Sequence, residues 1–172
     1  MGFIVLLFAV ILLDQASKFY IQHHMSIGES IPLIEGVLHI TYIENPHTAF
    51  GLFKYPPLPL AIAMVLVCLI LVILIYKKII FKRDAFSYIS LALILGGAIG
   101  NLIDRLRVEE RVIDFIDLRI WPIFNFADMA IVSGMLILLI HFLFYSSKNE
   151  DDEEDDRPRR RRRSRESGNV KR

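Results

Sequence analysis

The sequence predicts an all-α membrane protein with four transmembrane helices and a small extracytoplasmic segment that contains β-structure. Of its 172 residues, 54% are hydrophobic and the mean hydropathy is +0.46, whereas an ordinary soluble domain is about 45–50% apolar. Stretches long enough to cross a bilayer at ~1.5 Å per residue occur at about 3–22, 58–76, 87–106 and 127–145. The mixed segment between the first two is interrupted by glycines and prolines, which favours a non-helical insert.

The first span carries a polar stripe in its second half. Its opening run, Phe3–Leu13, is too short to span alone, and no basic residue precedes it as in a signal peptide. Asp14, Ser17 and Lys18 follow at i, i+3 and i+4 and therefore share a helix face. Because charged groups are costly in lipid, this face is predicted to look into a helix bundle, with Lys18 as a partner of Asp104. An intrahelical ion pair that only aids packing is the simpler alternative.

The segment after the first span is predicted to hold the β-structure. Val37–Glu44 is rich in β-branched residues and alternates loosely, which indicates a strand, and its partner is expected within Gly28–Leu38. An extended peptide could add to Val37–Glu44 as a further strand. Four of the five histidines lie between residues 23 and 47, at spacings that match no tight metal motif. We therefore predict no metal and no other cofactor.

Charge near the ends of the spans sets the predicted topology. The connection 77–83 carries four Lys or Arg residues, and an arginine run follows the fourth span; such residues mark the cytoplasmic side. Both termini are therefore predicted to be cytoplasmic. Residues 1–147 would form the membrane domain, and residues 148–172 a disordered charged tail. An acidic block precedes the arginine run and offsets its charge, so no nucleic-acid partner is expected.

This topology brings the polar residues of the chain to the outer face of the membrane. Carboxylates at the ends of spanning helices are costly and therefore indicate function. We predict that Asp114 and Asp128 form a water-activating pair there, and that Asn125 caps the fourth span. The other polar groups predicted at this face are Asp14, Lys18, Asn45, Asn101, Asp104 and Arg105.

Two carboxylates that lie close together in a poorly hydrated site cannot both ionise, so one retains a proton. The ionised group can accept a proton from water while the neutral one polarises a carbonyl group, which is how aspartic proteases work. A divalent metal bound by the carboxylates is the alternative, but no histidine lies between residues 96 and 130, which disfavours a zinc site. The pattern therefore favours an aspartate pair that acts without a metal.

Two other classes of protein fit parts of the pattern. A small proton or ion transporter would use intramembrane Asp and Lys as a relay. It predicts polar groups through the full depth of the bilayer, whereas the second and fourth spans are nearly free of them. A non-catalytic anchor that displays the arginine-rich tail would leave the carboxylates of the outer face without a role.

Five segments resemble, in order and spacing, the motifs of the lipoprotein signal peptidase (signal peptidase II) family: DQASK at 14–18, NPHTAFG at 45–51, GGAIGNLIDR at 96–105, VIDFID at 112–117 and FNFADMA at 124–130. The resemblance covers nearly the whole chain before the tail. It implies a multi-pass aspartic endopeptidase of the bacterial inner membrane that cleaves prolipoproteins just before a diacylglyceryl-modified cysteine. By motif, Asp114 and Asp128 would be catalytic. Supporting or substrate-binding residues would be Asp14, Lys18, Asn45, Asn101, Asp104, Arg105 and Asn125.

The chain departs from the family pattern in its second motif and in its tail. His47 stands where the family has glycine, and a side chain there would narrow the loop or change its turn. The tail lies outside the pattern, and no catalytic role is inferred for it. The partners that the resemblance implies are lipid-modified precursor proteins and membrane lipid, and we expect a monomer.

Overall fold

The computed structural model describes residues 1–46, 62, 65–66, 69–70, 73, 84–108, 111–141 and 143. The principal helices are α1 (Gly2–His24), α2 (Ala85–Arg107) and α3 (Phe126–His141), and the strands are β1 (Ser30–Ile34), β2 (Leu38–Asn45) and β3 (Val112–Asp117). The strands form a small antiparallel sheet that packs against the end of α1.

Helices α1 and α2 are long and apolar enough to span a membrane. Each has 23 residues, and at ~1.5 Å per residue each is about 34 Å long, which exceeds a hydrocarbon core of about 30 Å. The helical structure predicted at 3–22 and at 87–106 is therefore confirmed. Helix α3 begins one residue before the predicted fourth span and is shorter over the described residues. The predicted second span, 58–76, lies outside the described residues except at isolated positions, and the tail 148–172 lies wholly outside them.

Glycines of α2 let α1 and α3 approach it closely. A Cβ atom at Gly96 would meet the side chain of Val10 at 2.9 Å, and one at Gly97 would overlap the backbone of Ala127. Because lipid tails are as apolar as the helices, close backbone packing is a main source of association between spanning helices. The glycines therefore fix how the first turn of α3 sits on α2.

We expect Gly97→Ala to destabilise the protein. The added methyl group would overlap the carbonyl oxygen of Ala127 and meet Ile131 Cγ1 at 2.8 Å, and overpacking of this kind costs about 1–3 kcal/mol. The thermal unfolding midpoint of the detergent-solubilised protein measures the loss. Gly2→Ala is the matched control, because nothing lies within 4 Å of a Cβ atom at Gly2. Equal midpoints for the two variants would contradict this packing.

The sheet has the strand order β1–β2–β3. β1 and β2 pair with Ser30 opposite Thr41, and β2 and β3 pair with Asn45 opposite Val112. β2 confirms the strand predicted at Val37–Glu44 to within one residue at each end, and β1 lies inside the segment predicted for its partner.

The central position of β2 shows that strand addition along Val37–Glu44 is wrong. Both edges of β2 are hydrogen-bonded, to β1 on one side and to β3 on the other, so no edge remains for a peptide. The outer edge of β3 is occupied as well: the N–H of Ile113 donates to Asp104 at 3.2 Å, and Ile116 pairs with Phe124. Among the described strands the open edge belongs to β1, two strand spacings or about 10 Å from β3.

The sequence does not predict strand β3. Residues 112–115 are all buried, so the strand lacks the alternation of apolar and polar residues that signals a half-buried strand. Ile113 and Phe115 pack with Ile21 of α1 and Tyr42 of β2. This cluster holds the sheet against α1 and brings the carboxyl group in the middle of β3 next to the helices.

Candidate active site

A reciprocal cap holds Asp128 in the first turn of α3. Asn125 precedes the helix, and its side-chain oxygen accepts a hydrogen bond from the N–H of Asp128 at 2.9 Å. In return, the N–H of Asn125 donates to Asp128 Oδ2 at 3.3 Å. This is the pattern of a capping box, which satisfies two backbone donors at a helix start. The prediction that Asn125 caps this helix is confirmed.

Asp114 lies in β3 between two asparagines and is only 3% exposed. Asn125 Nδ2 donates to its Oδ1 at 2.6 Å, and Asn45 Nδ2 donates to its Oδ2 at 2.9 Å. Asn45 is the last residue of β2, so the pairing of β2 with β3 brings it there. The sheet therefore places Asp114 and Asn45 together at the start of α3.

Two asparagines connect the two carboxyl groups. Asn125 contacts both, because its side chain donates to Asp114 and its backbone to Asp128. Asn101 of α2 donates from Nδ2 to Asp128 Oδ1 at 2.9 Å, and its Oδ1 accepts from Asn125 Nδ2 at 3.2 Å. Asn125 by itself thus links Asp114 and Asp128 through its hydrogen bonds. Both carboxyl groups lie at the same end of the helices, near the start of α3.

The surroundings of Asp114 favour its neutral form. Burial raises the pKa of Asp114 from 3.8 to about 7, and the negative charge of Asp128 adds to the rise. The hydrogen bonds from Asn45 and Asn125 oppose it, because they stabilise the ionised form. At a pH of about 7, Asp114 therefore keeps its proton in roughly half of the molecules, whereas exposed carboxyl groups would have lost it. Such a pair can both accept a proton and donate one.

A buried ion cluster lies next to the carboxyl pair and joins α1 to α2. Lys18 is 1% exposed, and its ammonium group donates to Asp104 at 2.7 Å and to Asp14 at 2.9 Å. Its third hydrogen bond goes to Asn101 Oδ1 at 2.9 Å, so all three donor positions are used. The predicted pair of Lys18 and Asp104 is confirmed. Asp14 does more than aid packing within α1, because it also accepts from the N–H of Ala127 at 2.9 Å.

Gln15 completes this cluster, and the sequence does not predict it. Its Nε2 lies 3.0 Å from Asp104 Oδ1 and 3.1 Å from the carbonyl oxygen of Gly100. Its Oε1 accepts from Arg107 at 3.2 Å. An uncharged side chain gives no electrostatic signal in a sequence. The one available signal is its i, i+3 relation to Lys18, which places both on neighbouring positions of a helix face.

Arg105 lies beside the carboxyl pair, and its buried Nε is not committed to a hydrogen bond among the described residues. It is 7% exposed, and its Nη1 donates to the carbonyl oxygen of Asn101 at 3.1 Å. Among the described residues, its buried Nε has no hydrogen-bond partner. A buried donor without an acceptor costs free energy, so this nitrogen is suited to an acceptor on a bound molecule.

The structure joins all the sequence-predicted site residues in one network of hydrogen bonds and ion pairs. Within the part of the chain that the structure describes, no three His, Cys, Asp or Glu side chains are grouped to hold a metal ion. His47, where the second motif departs from its pattern, lies outside the described residues.

Comparisons with known proteins match this chain over most of its length. A family model described as signal peptidase (SPase) II matches residues 6–144. The lipoprotein signal peptidase of Moorella thermoacetica is 46% identical over 138 residues, which are 80% of this chain and 90% of the relative. That of Pelotomaculum thermopropionicum is 43% identical over 137 residues, or 79% and 88% of the two chains.

Two solved structures of bacterial membrane enzymes are also similar to this chain. A bacterial membrane enzyme superposes with a TM-score of 0.77 and 30% identity, covering 86% of this chain and 90% of the other. A second structure of a bacterial membrane enzyme has a TM-score of 0.67 and 32% identity, covering 83% and 92%. The likeness to these two structures therefore extends over more than four-fifths of the chain.

Proposed function

This chain belongs to the signal peptidase II family, and from that premise we propose that it is a membrane aspartic endopeptidase that removes signal peptides from prolipoproteins. The bond cleaved is the one just before the diacylglyceryl-modified cysteine. Asp114 and Asp128 are the catalytic pair, and they activate a water molecule. The names of the relatives support the reaction.

One observation carries the choice of catalytic residues. Asn125 donates hydrogen bonds to both Asp114 and Asp128, so the two carboxyl groups are held next to each other. The pKa of about 7 for Asp114, which burial and the charge of Asp128 produce, supports a pair that holds a single proton at neutral pH. Hydrolysis by an aspartate pair needs this one-proton state.

The reaction begins with the proton on Asp114. Its carboxyl group donates a hydrogen bond to the carbonyl oxygen of the scissile peptide bond, which makes the carbonyl carbon more electrophilic. The ionised Asp128 accepts a proton from water while the water oxygen attacks that carbon. The product of this step is a tetrahedral diol: the proton of Asp114 is on the former carbonyl oxygen, and a water proton is on Asp128.

The diol then collapses. Asp128 gives its proton to the peptide nitrogen as the C–N bond breaks, and one hydroxyl group returns its proton to Asp114. The signal peptide leaves with a new carboxyl group, and the cysteine leaves with a new amine. The pair again holds one proton, so each cycle consumes one water molecule and leaves the enzyme unchanged.

The surrounding residues orient this pair and receive the substrate. Asn45, Asn101 and Asn125 fix the carboxyl oxygens by the hydrogen bonds described above. Asp14, Lys18 and Asp104 hold α1 against the other helices. Arg105 is the substrate-binding candidate, because its buried Nε needs an acceptor and a peptide carbonyl oxygen would supply one.

We also propose the arrangement in the membrane. The chain crosses the bacterial inner membrane four times with both termini in the cytoplasm, residues 1–147 form the peptidase domain, and residues 148–172 form a cytoplasmic tail. The length and apolar character of α1 and α2 support spanning helices. A diacylglyceryl group keeps its chains in the bilayer, since burying each CH₂ stabilises by about 0.8 kcal/mol. The bond to be cut therefore lies at the outer interface, where the site is proposed to be, and a monomer suffices.

A cleavage assay on matched precursor peptides tests this function. The purified enzyme in detergent or liposomes is given one precursor with a diacylglyceryl-modified cysteine and the same precursor without the lipid. We expect cleavage of the lipidated peptide alone, with mass spectrometry placing the cut before the cysteine. Equal cleavage of both peptides would contradict the role of the lipid, and cleavage of neither would contradict the proposed activity.

We expect kcat/KM to fall as the pH rises through about 7, because Asp114 then loses the proton that the first step needs. Asn45→Ala should move this limb of the profile to higher pH, since the hydrogen bond from Asn45 lowers the pKa of Asp114. Ser17→Ala is the control; the Ser17 hydroxyl donates to the carbonyl oxygen of Asp14, away from Asp114. A limb that stays in place or moves to lower pH in Asn45→Ala would contradict the assignment.

A further inference from the structure

Asp117 ends β3, is 5% exposed and accepts three hydrogen bonds on its carboxylate. Thr41 Oγ1 donates to its Oδ2 at 2.9 Å. The backbone N–H of Arg119 donates to Oδ1 at 2.8 Å, and Arg119 Nη1 donates to Oδ2 at 3.1 Å. Although desolvation by burial opposes it, these hydrogen bonds keep the pKa of Asp117 below its usual value. The carboxylate is thus an ionised acceptor, and the hydrogen bonds described for it do not involve Asp114 or Asp128.

The turn that Asp117 holds has an unusual backbone. Arg119 has φ 63°, and it is the one residue other than glycine with positive φ among the described residues. This left-handed conformation brings Cβ close to the following carbonyl oxygen, so it costs free energy for residues other than glycine. The hydrogen bond from the N–H of Arg119 to Asp117 stabilises the turn in spite of that cost.

The turn reverses the chain toward the catalytic pair. After it, Phe124 returns antiparallel to Ile116: the N–H of Ile116 donates to Phe124 at 2.8 Å, and the N–H of Phe124 donates to Ile116 at 3.1 Å. The next residue is Asn125, which binds both Asp114 and Asp128. The path from β3 to α3 therefore determines where one carboxyl group stands relative to the other.

We propose that Asp117 is a positioning residue of the active site: its carboxylate holds the left-handed turn at Arg119 that brings Asn125 and Asp128 to Asp114. The inference rests on the proposed function, since it assumes that Asp114 and Asp128 do the chemistry. Asp117 acts through the turn and takes no part in proton transfer.

Asp117→Ala should lower kcat by about 10- to 100-fold, because a displacement of about 1 Å at a reacting group can cost about 10²-fold. KM should change by less than about threefold, because Asn45 and Arg105 belong to other elements. The alkaline limb of the pH profile should also shift, since the hydrogen bond from Asn125 and the charge of Asp128, which both set the pKa of Asp114, are displaced together. The charge of Lys18, which also faces Asp114, remains in place. A variant that only reduced the folded fraction would leave this limb in place.

A glycine at position 119 provides the sharpest test. Glycine adopts positive φ without strain, so Asp117→Ala/Arg119→Gly should recover most of the kcat lost in Asp117→Ala. Asp117→Ala/Arg119→Ala is the matched control and should recover none, because alanine keeps the Cβ atom. Equal recovery in the two double variants would overturn the proposal, as would a kcat of Asp117→Ala equal to that of the wild type.

A second pair of variants keeps the test valid if Asp117→Ala does not accumulate in membranes. Arg119→Val places a β-branched residue at φ 63°, which such residues strongly disfavour, and should lower kcat with Asp117 intact. Arg119→Gly should retain more activity than Arg119→Val, and the reverse order would overturn the proposal. Asp114→Asn is assayed alongside. If that variant is active, the proposed function fails; if it is inactive and the Asp117 and Arg119 variants match the wild type, only the positioning role fails.

Discussion

Replacing either member of the carboxyl pair is expected to abolish processing. Asp114→Asn and Asp128→Asn should each lower the rate by a factor on the order of 10³ or more, while the protein still inserts into membranes. Without ionised Asp128, no group accepts the proton of the attacking water. Without Asp114, none supplies a proton to the carbonyl oxygen. Release of the signal peptide from a lipidated precursor, per mole of inserted enzyme, measures the effect.

Asp117→Asn is the matched control for these two variants. It changes the same residue type in the same strand as Asp114, and an amide oxygen can still accept from the N–H of Arg119. Its loss of rate should therefore be much smaller. An equal loss in Asp117→Asn would show that the catalytic carboxyl group within VIDFID is wrongly chosen, and full processing by Asp114→Asn or Asp128→Asn would remove that residue from the pair.

The thermal stability of Asp114→Asn gives a readout that does not depend on activity. Because the pKa of Asp114 is about 7 in the folded protein and 3.8 in the reference state, the folded state binds the proton more tightly. The resulting stability is present at low pH and is lost as the pH rises through about 7. An asparagine does not titrate, so the variant does not lose this stability. The unfolding midpoint of Asp114→Asn minus that of the wild type should therefore become more positive between pH 5 and pH 8. A midpoint difference that is independent of pH would contradict the perturbed pKa.

Helices α1 and α2 could be predicted because the signal lies within each segment. A long apolar run has few alternatives to a helix in lipid, since every backbone polar group must be satisfied internally. The i, i+4 spacing of Asp14 and Lys18 also placed them on one helix face, and the structure shows both buried there. Such local periodicity needs no knowledge of the rest of the fold.

Strand β3 could not be predicted because its character depends on packing from both sides. Val112, Ile113 and Phe115 are buried together with Asp114, so no alternating pattern marks the strand. The same absence led to the wrong expectation of a free edge on β2, since the strand that covers that edge had not been recognised. Pairing between strands far apart in sequence is a property of the whole fold.

The residues of the site could be predicted from the sequence, but most of the hydrogen bonds between them could not. The sequence indicated Asn125 as a cap, which it is. It gave no sign that the same side chain donates to Asp114 at 2.6 Å, because that contact requires β3 and the turn after it. Gln15 was missed for a similar reason, since its partners Asp104 and Gly100 lie on another helix.

Lys18→Met is expected to lower the stability of the protein more than Gly97→Ala does. The ammonium group is the shared partner of two buried carboxylates, Asp14 and Asp104. Its removal leaves two like charges close together without compensation, and breaking a buried ion pair in this way costs about 3–5 kcal/mol. The thermal midpoint and the amount of inserted protein should both fall. Activity should fall with them, because Asn101 loses its contact with Lys18 and also binds Asp128.

Neutralising Asp14 and Asp104 as well distinguishes a loss of stability caused by their uncompensated charges from one caused by lost packing of the Lys18 side chain. Asp14→Asn/Lys18→Met/Asp104→Asn replaces the cluster with uncharged groups of similar size, and such replacements of buried ion pairs are often neutral or stabilising. We therefore expect the triple variant to be more stable than Lys18→Met. Ser17→Ala, one residue from Lys18 on the same helix, is the control and should stay close to the wild type. A triple variant as unstable as Lys18→Met would show that the cluster stabilises the protein through side-chain packing. The uncompensated charges of Asp14 and Asp104 would then not explain the instability of Lys18→Met.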